Sequence, residues 1–268
     1  MAPLLKFPCP KQLSLCCVFV LEDALHSLLC GCPVLESLLL EGNVGVGCLR
    51  INSPTLRSIG ICVSSCYGRI VENPIELQDL IIQDAPCLER LIPLYLIRGP
   101  LTIRVVWAPK LEILGLLSDG IAKLHIGTTV FQKMIAQSLT TSMRTVKSNL
   151  QKSRKNKWGY NPLDPIECLE SHLRQVVMIY YQGMRPDVDF AKFFVLNAKV
   201  LKKMVFGSKN DCNDKWMANQ HRRLQLDNRA SQGAQFEFRT GLVSPICNNH
   251  THDLWMDDPF VSTYADAA

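Results

Sequence analysis

A phrase of one small residue, a proline and two spaced aliphatic residues recurs four times in the first half of the chain. The copies begin at Cys32, Ser53, Ala85 and Ala108, and each one follows the pattern small-Pro-x-Leu-x-x-aliphatic. Successive prolines are 21, 32 and 23 residues apart, close to the period of roughly 20 to 29 residues in leucine-rich repeats. Such a repeat cannot bury its apolar face alone and must stack on its neighbours. The pattern therefore predicts an elongated, strand-rich solenoid with an extended binding surface.

Short runs of alternating aliphatic residues lie between these copies, at 13–15, 49–51, 80–82, 101–103 and 124–126. Alternation with a period of two predicts short strands whose aliphatic side chains point one way. Each proline phrase is expected to add a strand of its own, because a proline suits the start of a strand. A helix is predicted at 22–29, where several leucines share a face and Gly31 lies just beyond the end.

The polar residues inside these alternating runs are the candidate binding residues. If the Leu and Ile side chains fill the interior, the residues between them line an open face of the solenoid. Four such residues are the candidates for contact with a partner: Arg50, Thr102, Arg104 and His125. The simpler alternative for each of them is a solvated strand position with no special role.

The composition changes after residue 146. Segment 147–157 holds five basic residues and a single aliphatic one, and Gly159, Pro162 and Pro165 follow. No packed element can be built from such a segment, so we predict a basic linker or exposed loop at 147–161. A basic run can also bind nucleic acid or act as a nuclear address. The lack of interleaved aromatic residues favours a solvated connector.

The remainder, 162–268, is predicted to form a small α+β module. Its pattern alternates a strand at 173–181, a helix at 189–198 capped by Asp189, a strand at 201–206, a helix at 214–226 and a strand at 235–239. With a leucine-rich-repeat region at 1–146, the whole chain is assigned to the α/β class, as an irregular, strand-rich solenoid followed by this module.

The composition is that of a globular protein. Hydrophobic residues make up 47% of the 268 residues and charged residues 20%, and the net charge of +5 is too small to indicate nucleic-acid binding. The apolar run 13–21 is interpreted as a buried strand, since it lacks a cleavage pattern and is far shorter than a membrane span. The twelve cysteines contain no C-x-x-C pair, so we expect reduced thiols and a cytoplasmic or nuclear location, away from membranes.

The sequence carries few groups that suggest chemistry. The glycine-rich segment 42–47 matches no phosphate-binding motif and is interpreted as a turn. His250, His252 and Asp253 have only Cys247 as a nearby thiol, too little for a zinc site. No G-x-S-x-G motif occurs. We therefore expect no catalytic residue, no cofactor, no metal and no enzymatic activity.

Four segments of the second half resemble the FBD region of plant F-box/leucine-rich-repeat proteins. They are 161–169, 172–177, 189–198 and the ending 250–260, which is similar to the grass-type members of that family. In such proteins an N-terminal F-box docks on the Skp adaptor of a cullin ubiquitin ligase, and the repeats present the substrate. The resemblance therefore implies the substrate-recognition part of an SCF-type receptor, with a protein substrate as its partner.

The chain departs from the family plan in two ways. It begins within the repeats without an F-box, so docking on the Skp adaptor is not expected. The basic segment stands where the family continues with further repeats, which indicates an internally shortened product. Two alternatives remain open: a scaffold outside the ligase whose basic loop binds nucleic acid or an import receptor, and a non-functional truncated product.

Overall fold

The computed structural model describes residues 10–63, 75–95, 101–118, 120–132, 166–208, 212–240 and 248–260. The strands follow in chain order as β1 (Gln12–Cys16), β2 (Ser37–Glu41), β3 (Cys48–Asn52), β4 (Ser58–Cys62), β5 (Asp79–Asp84), β6 (Arg90–Tyr95), β7 (Leu101–Val105), β8 (Ile113–Leu117), β9 (Ile121–Ile126), β10 (Thr129–Gln132), β11 (Gln175–Ile179), β12 (Lys203–Ser208) and β13 (Gln235–Thr240). The α-helices are α1 (Glu22–Cys30), α2 (Glu167–Ser171), α3 (Arg185–Asn197) and α4 (Asp214–Leu224).

Successive coils of the chain build two sheets. The larger is eight-stranded and parallel, in the order β1-β2-β4-β6-β8-β11-β12-β13, and the smaller has the order β10-β9-β7-β5-β3. From β2 to β9 the chain places one strand in each sheet in turn, because parallel neighbours need a crossover connection. β10 then turns back and pairs with β9 in the antiparallel sense. The core lies between the two sheets.

The proline phrases explain where the strands of the larger sheet begin. β2, β4, β6 and β8 each start four residues after a phrase proline. The leucine after each proline is buried, and the last aliphatic residue of every phrase is fully buried within its strand. Local spacing thus fixes both the turn and the face that each strand buries, and the predicted strand-rich, repeat-based α/β fold is confirmed.

Helices replace strands in the second layer at both ends of the smaller sheet. α1 follows β1 and flanks β3, where the Glu22 carboxylate accepts the Cys48 backbone N–H at 3.0 Å and His26 Nε2 accepts that of Arg50 at 3.1 Å. At the other end, Phe131 of β10 packs on Phe193 of α3, with ring centroids 4.4 Å apart. The β3 edge of the smaller sheet is therefore covered by α1, and α3 packs against β10 at the other end through aromatic rings.

The second half of the chain continues the same sheet. β8 pairs with β11 in parallel, so β11, β12 and β13 extend the strands of the repeats, and one core contains buried residues of both halves, such as Leu114 and Phe194. The predicted strand-helix-strand-helix-strand order is found. α3, however, begins at Arg185 with Pro186 in its first turn, so Asp189 is not its cap.

Two further expectations are wrong. The run 13–21 is not one buried strand: β1 ends at Cys16, and its residues are exposed or half-buried because it is an edge strand of the larger sheet. Eight described cysteines are free, but Cys17 is disulfide-bonded, so the expectation of reduced thiols does not hold for that residue.

The glycine-rich segment does form a turn, with Gly42 and Gly45 at positive φ. The predicted basic linker at 147–161 lies outside the described residues.

Candidate functional site

Strand pairing brings three of the four candidate residues into one row on the outer face of the smaller sheet. Arg50 on β3 pairs with Ile81, Ile81 pairs with Arg104 on β7, and Arg104 pairs with His125 on β9. Val130 of β10 continues the row beyond His125. Neighbouring strands are about 4.8 Å apart, so the row spans about 20 Å across the sheet.

Thr102 lies in the adjacent row on the same face. It pairs with Asp79 of β5 on one side and with Lys123 of β9 on the other. Arg50 and Arg104 are exposed, whereas Thr102 and His125 are half-buried. The predicted placement of all four residues on one face is confirmed, and their binding role stays a prediction. We call this surface the basic face: Arg50, Asp79, Thr102, Arg104, Lys123 and His125.

The charges on the basic face favour an acidic partner. Arg50, Arg104 and Lys123 outnumber Asp79, and an Arg guanidinium binds a carboxylate through two parallel hydrogen bonds. Burial lowers the pKa of His125, and the nearby charges of Arg104 and Lys123 lower it further. The imidazole is therefore neutral at pH 7, and its buried Nε2 has no hydrogen-bond partner within the described ranges.

Two exposed apolar residues beside the basic face were missed by the sequence interpretation. Val106 and Trp107 follow β7 directly, and each is 49% exposed. Trp and Arg are the residues most enriched where protein interfaces gain their binding energy. The signal in the sequence was an aromatic residue placed just before the small residue of the fourth phrase, where the other three copies have none.

A second surface lies on the opposite side of the molecule, where residues 248–260, here called the strap, cross the outer face of the larger sheet. His252 of the strap contacts the hydroxyls of Ser14 and Ser37 at 2.6 and 2.7 Å. Asp258 near its other end accepts a hydrogen bond from Gln175 at 2.9 Å and pairs with Lys203 at 3.4 Å. The strap thus runs from β1 to β12.

The middle of the strap is held by Arg90 of β6. Its guanidinium donates to the carbonyl oxygens of Asp253 at 2.7 Å and Leu254 at 3.1 Å, and to that of Met256. Burial lowers the pKa of Arg90, although the group stays charged because an arginine pKa starts so high. Most of the strap's partners are first residues of strands, and pairing aligns these first residues, from β1 to β12, in one row, in which only Ile113 of β8 is apolar. We call the polar members of this row the polar row: Gln12, Ser37, Ser58, Arg90, Gln175 and Lys203.

The histidines considered for zinc are used by the strap itself. His250 Nδ1 lies 2.9 Å from the carbonyl oxygen of Pro259. The Ser37 hydroxyl donates to the carbonyl of Thr251, so it accepts from His252 Nδ1–H, and His252 Nε2 accepts from Ser14. Among the residues that the structure describes, no cluster of three His, Cys, Asp or Glu is placed to hold a metal. No helix in the described ranges is long and apolar enough to span a membrane.

Two sheets whose repeat strands are all parallel, with one coil per repeat, define a leucine-rich-repeat protein. A family model for the leucine-rich repeats of FBD-associated F-box proteins matches residues 1–150, and the FBD model matches residues 161–206. The first match covers more than half of the chain, which therefore belongs to this family of FBD-associated F-box leucine-rich-repeat proteins. No match to a curated protein or to a solved structure was found. These two families indicate a role in protein–protein interaction.

Proposed function

We propose that this chain recognises a protein target of an SCF-type ubiquitin ligase through the basic face. The observation that carries the proposal is the alignment of Arg50, Arg104 and His125 in one row by strand pairing, in a chain whose family is that of F-box-associated repeats. The target is a protein with an acidic surface segment.

The sheet suits this role because it is a rigid platform. α1 covers the β3 edge of the smaller sheet, where the backbone N–H of Arg50 is itself bonded to His26. Binding to groups that are already fixed loses less conformational entropy than binding to mobile loops. The exposed Val106 and Trp107 add apolar area beside the charged groups.

We further propose that the chain performs no catalysis and acts in the cytoplasm or nucleus. The absence of catalysis is supported by the buried thiol of Cys168, whose pKa burial raises to about 12, so that it is not the thiolate that a nucleophile must be. The location is supported by the eight free cysteines among the described residues. Capture of the Skp adaptor by this chain is the test of direct coupling to the ligase. The scaffold alternative is favoured if the adaptor is never captured and RNA binding falls steeply with salt.

Charge reversal on the basic face tests target recognition. Arg50→Glu combined with Arg104→Glu is expected to lose the acidic targets that the wild-type chain retains. The matched control reverses Lys110 and Lys215, which are exposed elsewhere and give the same change in net charge. The measurement is affinity capture with quantitative mass spectrometry of the captured proteins. An unchanged set of captured proteins with the Arg50/Arg104 variant would refute the proposal.

A further inference from the structure

We propose that the basic face recognises an extended target segment in which two acidic side chains and one apolar side chain alternate with other residues, in the order acidic-x-acidic-x-apolar or its reverse. This inference rests on the proposed function and adds the sequence that the target must carry. Lys123 and Arg104 contact the acidic side chains, and Val106 contacts the apolar one.

Three rows of side chains stand on the basic face where β7 and β9 lie side by side. Lys123 lies in the first row, and Arg104 pairs with His125 in the second. Val106 begins the third row. Its backbone N–H donates to the carbonyl of Ile82 at 2.8 Å, so the strand pairing continues one residue beyond β7 and the side chains still alternate. The rows therefore change from cationic to apolar along the strand.

An extended segment matches the spacing of these rows. Side chains two residues apart on one strand of the sheet are about 6.6 Å apart, and the same distance separates alternate side chains of an extended peptide. A segment that lies along β7 therefore presents its positions i, i+2 and i+4 to the three rows, while its intervening side chains point away from the sheet. This register specifies which positions of the target are acidic and which position is apolar.

The cations of the basic face are available to a target. Within the described ranges Arg104 and Lys123 form no ion pair, whereas beside the larger sheet Arg57 is paired with Glu89 at 2.9 Å. Residues 133–165 of the chain carry seven basic residues and one acidic residue. This stretch has the same sign of charge as the basic face, and like charges repel. The acidic groups that complement the face are therefore expected from another molecule.

The apolar end of the rows supplies the third contact. Val106 is 49% exposed, and Val130, beside His125 in the second row, is 44% exposed. Removal of aliphatic surface from water is favourable in proportion to the area removed. A leucine side chain that packs on this end of the face is expected to raise the affinity about tenfold.

The experiment compares labelled synthetic peptides on the full chain by fluorescence anisotropy. The first peptide contains the core Glu-Ser-Glu-Ser-Leu. The second contains Glu-Ser-Glu-Leu-Ser, which keeps the composition and the charge but turns the leucine away from the sheet. Both are also made in reversed order, since an extended segment can lie along β7 in either direction. In the direction that binds more tightly, the first core is expected to exceed the second at least about tenfold in affinity.

Substitutions in the chain locate the contact. Val106→Ser is expected to abolish the difference between the two cores, and the matched control Val34→Ser, at another exposed valine, to preserve it. Arg104→Glu is expected to weaken both peptides about tenfold or more.

Two results would overturn this inference while the proposed function stands. They are equal affinity for the two cores that Arg104→Glu still weakens, and a difference between the cores that persists in the Val106→Ser chain. Binding of no peptide to the wild-type chain would also overturn the inference, and the capture of natural targets then decides the proposed function by itself.

Discussion

Arg90 is the residue on which the strap depends most. In the third proline phrase Arg90 lies between Glu89 and Leu91, at a position where the pattern specifies no residue type. Only the folded chain shows what it binds. A charged group of this kind is tolerated in a buried position because its hydrogen bonds are made.

Removal of the Arg90 guanidinium should release the strap. Arg90→Ala is expected to lower the free energy of unfolding by about 2–4 kcal/mol, since several hydrogen bonds to one charged group are lost. Urea denaturation gives this value, and hydrogen exchange of residues 248–260 reports the release. The exposed Arg222 is bonded to Asn219 in its own helix and provides the control variant Arg222→Ala, with a change within about 0.5 kcal/mol. Unaltered exchange in the strap of the Arg90 variant would contradict this role.

Gly60 offers a steric test of the same contact. A Cβ atom at this position would lie 2.3 Å from Thr251 Oγ1, so Gly60→Ala is expected to push the strap off the sheet and cost about 1–3 kcal/mol. Gly233→Ala is the control, because a Cβ atom there meets nothing within 4 Å. Thermal unfolding of both variants is the measurement. Equal melting temperatures would show that the strap does not sit against Gly60.

The imidazole of His252 predicts a pH dependence. Burial lowers its pKa below the ordinary value of 6.5, so the folded state favours the neutral ring and the unfolded state binds more protons at acidic pH. The resulting stability is present above pH 6.5 and is lost as the pH falls below that value towards the folded pKa. Exchange of the strap amides between pH 7.5 and pH 5 measures the effect. His252→Gln should remove the contribution of His252 to the pH dependence of stability. The contribution of His125, whose pKa is also lowered, should remain in this variant.

At the scale of the elements, α1 protects an edge strand. Glu22 and His26 accept two backbone N–H groups of β3 that have no strand beside them. An uncovered edge is a template for pairing with another chain, so the helix fixes where the smaller sheet ends.

Loss of these two acceptors is expected to weaken the edge. Glu22→Ala with His26→Ala should lower the free energy of unfolding by about 1–3 kcal/mol, from two hydrogen bonds of about 0.5–1.5 kcal/mol each. Chemical denaturation and light scattering measure stability and self-association. The control is Asp23→Ala at an exposed position in the same helical turn. A variant that matches this control in both measurements would contradict the role of α1.

The sequence predicted those elements that local spacing determines. The proline phrases identified β2, β4, β6 and β8, and the alternating runs placed Arg50, Thr102, Arg104 and His125 on one face. The contacts of the strap could not be predicted, because Arg90 and Asp253 are 163 residues apart and no short pattern encodes such a pairing. The start of α3 was misplaced because Asp189 was taken as its cap, although Pro186 already fits the first turn of a helix.

At the scale of the whole molecule, the repeats and the FBD region share one sheet. The pairing of β8 with β11 joins them directly, and their apolar side chains form a common core. Two regions with a common core are expected to unfold together.

A cavity on one side of this junction should therefore destabilise both regions. Leu114→Ala in β8, at a fully buried position, is expected to cost about 2–5 kcal/mol and to accelerate hydrogen exchange in β4 and in β12 alike. Val130→Ala at a partly exposed site is the control. Faster exchange confined to the repeats would show that the two regions unfold separately.

The path of the strap has a mechanical consequence. A pulling force along the axis of the stack would separate neighbouring coils. Residues 248–260, however, are bonded to strands from β1 to β12 and connect these coils. Elongation of the stack must break those bonds first. The molecule should therefore resist tension at small extensions and become compliant once the Arg90 contacts give way.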